Sequence, residues 1–199
     1  KEQFHTMSPK EIAAHYRYLR GTARETDLTN ACVARILEEI LGDEVLELGC
    51  GNGFLADRVS RLAKVVAADF IISDGLASSK SYPLISLDLE RPLPFRDDAF
   101  DTVVCTHTLE HLAEVQDALS EIRRVARRRA IIVVPLQRPY LYTMDLHVQF
   151  FPYPWSFFTV AKPEKSAKVT AWRYLKIDGD LYYVEDFREL TRDSSCRRD

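Results

Sequence analysis

Val45-Leu46-Glu47-Leu48-Gly49-Cys50-Gly51-Asn52-Gly53 is the stretch that decides the fold. A short apolar run, typical of a buried strand, ends here in a loop that holds three of the chain's seven glycines. A helical pattern follows at once, from Phe54 to Leu62. A glycine cluster between a strand and a helix lets the backbone turn sharply and approach a ligand closely. The stretch therefore predicts an α/β fold with a ligand site at the end of its first strand.

Further apolar runs follow along the chain, at Lys64–Ala68, Leu84–Leu87, Thr102–Cys105 and Ala130–Val134. Such continuous runs are typical of parallel strands that are covered on both faces. Helical patterns at Asp27–Leu41 and Leu112–Ala126 flank them, but between the second and third runs we expect a short helix or none. Alternating strands and helices predict a doubly wound, mostly parallel, Rossmann-like sheet.

The last third of the chain is rich in aromatic residues. Val169–Ile177 and Leu181–Val184, joined by Asp178-Gly179-Asp180, predict an antiparallel β-hairpin because Asp-Gly favours a tight turn. The hairpin completes a seven-stranded sheet. We expect its aromatic residues to belong to the core; they are Trp172, Tyr174, Tyr182 and Tyr183.

Two classes of ligand compete for the glycine loop. In a dinucleotide fingerprint the third glycine follows the second after two intervening residues, whereas here Gly53 arrives one residue early and Phe54 takes that place. Glu47 would also face a pyrophosphate poorly, while its charge suits a ligand with an ammonium and a sulfonium. A plain connector between strand and helix is the alternative without any ligand.

Two carboxylates follow the next two strands. Asp69 lies 20 residues after Gly49, which is the spacing from which a carboxylate accepts hydrogen bonds from ribose hydroxyls. Asp88, beside Leu89, is placed to accept from an adenine amino group. Without a ligand, both would be ordinary strand-end or turn-forming aspartates. With the glycine loop and Glu47, they favour a ligand that combines a nucleoside with a cationic arm.

The whole set resembles the class I methyltransferases of the ubiquinone/menaquinone-biosynthesis type, which use S-adenosylmethionine (SAM). Val45–Gly53 is similar to their first motif, Leu93–Asp101 to their LPF…D…FD segment, and Leu109–His111 to the LEH after their fourth strand. The resemblance covers about residues 30–136. It is highly specific for SAM and weakly specific for the acceptor.

The resemblance implies SAM as the cofactor and S-adenosylhomocysteine as its product. Glu47 and the loop backbone would hold the methionine part, Asp69 the ribose, and Asp88 the adenine. The region after Asp69 is shorter than in the family pattern. The resemblance therefore determines the wall on the adenine side less closely than the rest of the site. The positions implied to bind the cofactor are Glu47, Gly49, Cys50, Gly51, Asn52, Gly53, Asp69, Phe70, Asp88, Leu89 and Thr106.

The acceptor is expected near the ends of the fourth and fifth strands. A general base is needed only if the acceptor must lose a proton. His107 and His147 are the predicted catalytic residues, since histidine titrates near neutral pH; structural histidines, or no base at all, are the alternatives. The residues predicted to contact the acceptor are Tyr18, His111, Phe151, Tyr153 and Trp155, the last three within a proline-stiffened aromatic run.

We expect one domain over residues 1–199, because a chain of this length buries an ordinary core. Residues 1–26, with a helix predicted over Ser8–Arg20, would form an N-terminal cap. Residues 137–168 would form an aromatic insertion on the substrate side. No metal site is predicted, since the four cysteines are scattered without a CxxC pair.

The net charge of −3 predicts no attraction to nucleic acid. The arginines between residues 123 and 129 are interpreted as a helix end that favours cations. No run approaches the roughly 18 apolar residues of a membrane span, and a cytoplasmic location is expected. No oligomeric state is predicted.

These observations predict an enzyme that transfers a methyl group from SAM to oxygen, nitrogen or carbon of a small organic molecule in a biosynthetic pathway. Other SAM chemistry is the first alternative, either aminocarboxypropyl transfer or internal attack that releases methylthioadenosine. A non-catalytic scaffold with the same fold is the second. A nicotinamide oxidoreductase ranks below both because of the glycine spacing.

Overall fold

A computed structural model of the protein describes residues 26–139 and 147–187. Strands and helices alternate along most of these ranges. The strands are β1 (Glu44–Leu48), β2 (Lys64–Asp69), β3 (Leu84–Ser86), β4 (Phe100–Thr106), β5 (Ala126–Pro135), β6 (Val169–Ile177) and β7 (Asp180–Phe187). The helices are α1 (Asn30–Glu39), α2 (Phe54–Val59), α3 (Asp74–Ser79), α4 (Val115–Val125) and α5 (Pro154–Ala161), with 3-10 turns at Leu109–His111 and Pro163–Lys165.

The seven strands form one sheet in the order β3-β2-β1-β4-β5-β7-β6. Strands β1 to β5 pair in parallel, whereas β7 pairs antiparallel with both β5 and β6. The predicted doubly wound, mostly parallel sheet with a terminal antiparallel hairpin is therefore confirmed. At the hairpin, Asp178 and Gly179 adopt φ angles of 48° and 97°, as a two-residue primed turn requires.

The core lies on both faces of the sheet. Alternate residues of each central strand point to opposite sides, so that Leu46 packs with α4 and α5 while Val45 packs with α1 and α2. Because both faces are covered, the central strands are apolar along nearly their whole length. This is why short uninterrupted apolar runs marked them in the sequence.

Two helices confirm local expectations. Helix α1 begins after Thr29, whose hydroxyl oxygen accepts a hydrogen bond from the Cys32 N–H at 3.2 Å. With this N-cap the helix starts at Asn30, three residues after the predicted start at Asp27. Helix α3 spans only Asp74–Ser79. The region between β2 and β3 therefore carries the short helix that its glycine and serines predicted.

The interpretation of the arginine run as a helix end is wrong for its second half. Arg123 and Arg124 do lie in the last turn of α4, but residues 127–129 belong to β5, which starts directly after the helix. Arg127 pairs with Asp101, and Arg129 pairs with Asp186 at 2.6 Å. Arg127 and Arg129 therefore form ion pairs between strands of the sheet, with Asp101 of β4 and Asp186 of β7.

The expectation that all the hairpin aromatics are buried is also wrong in part. Tyr182 and Tyr183 in β7 are fully covered, at 1% and 0% exposure. Trp172 and Tyr174 are 42% and 44% exposed, because β6 is the edge strand of the sheet and only one neighbour covers it.

Residues 1–25 lie outside the described ranges. The predicted helix Ser8–Arg20, most of the expected 1–26 cap and the predicted acceptor contact Tyr18 fall there. In the part of the chain that the structure describes, no helix is long and apolar enough to cross a membrane.

A buried ion pair joins α4 to the hairpin. The Arg123 guanidinium donates to both carboxylate oxygens of Glu185 at 2.8 and 2.6 Å, and Glu185 is 0% exposed. The Tyr183 hydroxyl donates to the same carboxylate at 2.7 Å. Arg123 also donates to the Ala161 carbonyl at the end of α5, so one side chain connects three elements.

Replacing Arg123 by Met should lower the free energy of unfolding by about 3–5 kcal/mol, because it leaves the buried Glu185 charge without its partner. The double variant Arg123→Met/Glu185→Leu should lose less than the single one, since neither charge is then stranded. Lys64→Met, which breaks the exposed pair with Glu44, is the control and should cost at most about 1 kcal/mol. Urea denaturation measures all three; equal losses in Arg123→Met and Lys64→Met would contradict this account.

Candidate active site

The strand order reverses between β1 and β4, and at such a reversal an open α/β sheet forms a ligand crevice at the carboxyl ends of its strands. The glycine loop lies at this point. Gly49, Gly51 and Gly53 have φ angles of +75°, +56° and +77°, a left-handed region that glycine enters without strain. Three left-handed residues within five fold the chain tightly around the end of β1.

The glycines differ in what surrounds them. A Cβ on Gly49 would lie 1.9 Å from the Thr108 hydroxyl oxygen, and one on Gly53 would lie 2.6 Å from the Tyr82 hydroxyl oxygen. A Cβ on Gly51 would meet no described atom within 4 Å. Two glycines therefore allow close packing behind the loop, and the third leaves its outer face open to a ligand.

Asp69, at the end of β2, holds the loop in place. Its Oδ2 accepts the Gly51 N–H at 2.7 Å, and its Oδ1 accepts the Ile71 N–H at 3.1 Å. A carboxylate is an acceptor of the kind to which ribose hydroxyls donate. The predicted ribose contact thus lies beside the loop, as its spacing in the sequence required.

Glu47 is a buried carboxyl group at this edge. It is 2% exposed, and its Oε2 has no hydrogen-bond partner within the described ranges. Burial, together with the nearby carboxylates of Asp69 and Asp57, raises the pKa of Glu47 to about 8. A buried carboxylate oxygen without a partner is costly unless a ligand satisfies it. An ammonium group is the ligand chemistry that fits.

The adenine-side residues stand at the next strand ends. Asp88 follows β3, and its Oδ1 accepts the Glu90 N–H at 3.0 Å. Leu89 is buried at 8% exposure, whereas Phe70, directly after β2, is 38% exposed. An exposed ring and a carboxylate on neighbouring strands offer an apolar face and a hydrogen-bond acceptor to a flat base.

His107 follows β4 on the other side of the crevice, with an unusual φ of 46°. Its Nε2 lies 3.2 Å from Asp180 Oδ2, and its Nδ1 lies 3.6 Å from Glu110 Oε1. Burial alone would lower the pKa of His107, but the Asp180 and Glu110 carboxylates outweigh it and raise the pKa to about 10. The preceding residue, Thr106, is buried at 7% exposure.

His111 and His147 lie together near this point. Their ring centroids are 4.8 Å apart in an edge-to-face arrangement, and His147 contacts Phe150 in the same manner at 6.4 Å. The N–H groups of Val148 and Gln149 both donate to the Glu110 carbonyl at 2.9 Å. The segment after the gap in the described chain is therefore fixed to the turn that follows β4.

The remaining predicted acceptor contacts separate into two groups. Phe151 is 2% exposed and packs edge-on against Phe157 inside the core. Tyr153 and Trp155 are 40% and 60% exposed and stack with their ring centroids 4.4 Å apart. The structure thus brings His107, His111 and His147 into one neighbourhood, with Phe151 beneath the surface.

Sequence reasoning assigned no role to Glu110 or Asp180, although both contact His107. Glu110 lies within the LEH motif, and this motif is the sequence signal that could have identified it as a site residue. Asp180 was visible only as a turn residue, and the antiparallel pairing of Pro135 with Asp180 brings it beside the end of β5. Tyr82 was also missed; its hydroxyl donates to Asp57 Oδ1 at 2.8 Å and supports the loop from behind.

The geometry is that of an open α/β sheet whose strand order reverses beside a glycine loop and a buried carboxyl group, the place where such sheets bind ligands. The methyltransferase domain family matches residues 46–134 of the chain. Demethylmenaquinone methyltransferase of Symbiobacterium thermophilum is 31% identical over 175 residues, which cover 77% of this chain and 68% of that protein.

Two further comparisons agree. The enzyme of the same name from Mycolicibacterium paratuberculosis is 30% identical over 141 residues, or 64% of this chain and 60% of its own length. The crystal structure of a SAM-dependent methyltransferase from Aquifex aeolicus shares the fold with a TM-score of 0.59 at 17% identity, covering 92% of this chain and 100% of that one. The chain belongs to the SAM-dependent methyltransferase family, and SAM is its cofactor.

Gly49→Ala should weaken SAM binding at least tenfold, because the new Cβ would overlap Thr108 and the left-handed backbone would be strained. Gly75→Ala in α3 is the matched control, since its Cβ would meet no atom of the described chain within 4 Å and should leave the affinity unchanged. Isothermal titration calorimetry with SAM measures both, and circular dichroism checks the fold. Equal affinity in the two variants would contradict the loop assignment.

Proposed function

We propose that this protein transfers the methyl group of SAM to a small organic acceptor bound beside His107. The observation that carries the proposal is the close approach of Gly49 to Thr108, which joins the cofactor loop to the turn that holds His107. A ligand on the loop and an acceptor near His107 would then share one crevice. Positioning of two reactants in this way supplies much of the catalysis in such reactions.

The cofactor roles follow the strand ends. Glu47 would pair with the ammonium of SAM, the loop backbone from Gly49 to Gly53 would enclose the methionine part, and Asp69 would accept from the ribose. Asp88 and Leu89 would frame the adenine, with Phe70 as an exposed wall. SAM itself supplies an activated methyl group, so the protein mainly orients the reactants and keeps water out.

The acceptor side would be formed by the histidine neighbourhood. His107 and His147 stay the predicted catalytic residues, and His111 would contact the acceptor. Phe150 is the better wall residue than Phe151, because it touches His147 while Phe151 is in the core. The stacked pair Tyr153 and Trp155 would extend the wall.

Two observations support a flat organic molecule as the acceptor: the rings at the site and the names of the relatives. Aromatic and imidazole rings favour a flat organic molecule, and the relatives are named for a quinone precursor. Arg123, Arg124 and Arg129 each pair with carboxylates, which argues against a basic patch for nucleic acid.

We further propose one domain over residues 1–199, with residues 137–168 on the acceptor side. The enzyme would work in a biosynthetic pathway.

Incubation with SAM and a demethylated naphthoquinol or a simple phenol should yield S-adenosylhomocysteine and a methylated product. His107→Asn should lower kcat by about 10²–10³-fold while the affinity for SAM changes little, because a pKa of about 10 keeps the imidazole protonated as a hydrogen-bond donor to the acceptor. Lys176→Gln on the exposed edge strand is the control and should retain the rate. Mass spectrometry of both products checks the reaction. Methylthioadenosine formed from SAM alone would favour the non-methyl chemistry instead, and an unchanged kcat in His107→Asn would remove that residue from the mechanism.

A further inference from the structure

Three side chains with metal-ligand chemistry converge on the acceptor side. The carboxylate of Glu110 and the ring nitrogens of His111 and His147 offer ligand atoms that all lie within 4.8 Å of one another. Zinc holds nitrogen and oxygen ligands at about 2.0–2.2 Å. Small side-chain adjustments therefore suffice to place these three atoms around one ion.

The backbone fixes this convergence. Glu110 and His111 belong to the 3-10 turn after β4, and His147 precedes two residues whose N–H groups bond the Glu110 carbonyl. The Gln149 side-chain amide also donates to the Ala113 carbonyl at 3.0 Å. Two chain segments that are distant in sequence are thus held in register at the cluster, which favours a prearranged site.

The surroundings of Glu110 point independently to a ligand at this place. Its side chain is 1% exposed, and neither carboxylate oxygen has a hydrogen-bond partner among the residues described. A buried carboxylate is normally paired, hydrogen-bonded or bound to a metal. The His107 imidazole, 3.6 Å from Glu110 Oε1, is a nearby counter-charge, and it keeps Asp180 as a second partner if a metal ion takes Glu110.

The surroundings of His147 match those of a metal ligand. Its Nδ1 forms a short contact with the Gln137 side-chain oxygen. Histidine ligands commonly donate one ring N–H to such a partner, which fixes the ring and presents the other nitrogen to the metal. The Gln137 contact gives Nε2 the lone pair for that role.

We propose that Glu110, His111 and His147 bind a divalent transition-metal ion of the zinc type. Two imidazoles and one carboxylate suit zinc and its neighbours, whereas calcium and magnesium prefer oxygen ligands alone. Three protein ligands leave a position open for water or another oxygen ligand. Use of that position by an acceptor oxygen rests on the proposed methyl transfer, but binding of the ion does not.

The untagged protein, stripped with a chelator and dialysed against Zn²⁺, should bind one ion per chain. Glu110→Gln, His111→Asn and His147→Asn should each lower the affinity by at least the 10–100-fold that loss of an outer-shell partner causes. Glu114→Gln, the same change at an exposed position four residues along, is the matched control and should bind as the parent does. Cobalt substitution should give visible absorption bands that the three ligand variants lose.

Absence of stoichiometric binding, or equal binding in the three variants and in Glu114→Gln, would overturn the proposal. Excess Mg²⁺ or Ca²⁺ should not displace Zn²⁺, and displacement would also count against it. SAM titration of the same samples checks that each variant is folded. A protein that binds Zn²⁺ at this site but methylates no acceptor would refute the proposed function and leave the metal site standing.

Discussion

The buried carboxylate of Glu47 is the constraint on which the site depends. Strand β1 lies between β2 and β4, and Glu47 pairs in register with Ala67 on one side and Val104 on the other. A side chain at the centre of a covered sheet cannot turn outward to water. The ionised form of Glu47 therefore suits a cationic ligand, and the glycine loop begins two residues further along the chain.

The reversal of strand order divides the crevice into two halves. Glu47, Asp69 and Asp88 lie at or just after the ends of β1, β2 and β3, and we propose them as the acceptors for the polar groups of SAM. On the other side, His107 follows β4 and His111 ends the 3-10 turn after it. Because Gly49 packs directly on Thr108, the two halves of the crevice meet at this contact.

The sequence predicted features that depend on local chemistry. Apolar runs marked the covered strands, glycine spacing marked the loop, and Asp178-Gly179 marked the hairpin turn, because each is determined by neighbours along the chain. Contacts with distant residues left no such signal. The pairing of His107 with Asp180 spans 73 positions and arises only once β7 lies antiparallel to β5.

Two local errors have physical reasons as well. Helix α4 passes into β5 without a loop, so no turn residue separated Arg124 from Arg127 in the sequence. Phe150 contacts His147, whereas the adjacent Phe151 belongs to the core. The proline-containing run has no helical or strand periodicity, so the sequence did not indicate which of the two rings lies beside the histidines.

Calorimetric titration of SAM at pH 7, in two buffers of different ionisation enthalpy, tests the role of Glu47 most directly. With a pKa of about 8 the free carboxyl is mostly protonated at this pH, and an ammonium bound beside it favours the ionised form. The account predicts release of close to one proton per SAM bound, and no release in Glu47→Gln. Equal heats in both buffers for the parent protein, or the same release from Glu47→Gln, would contradict it.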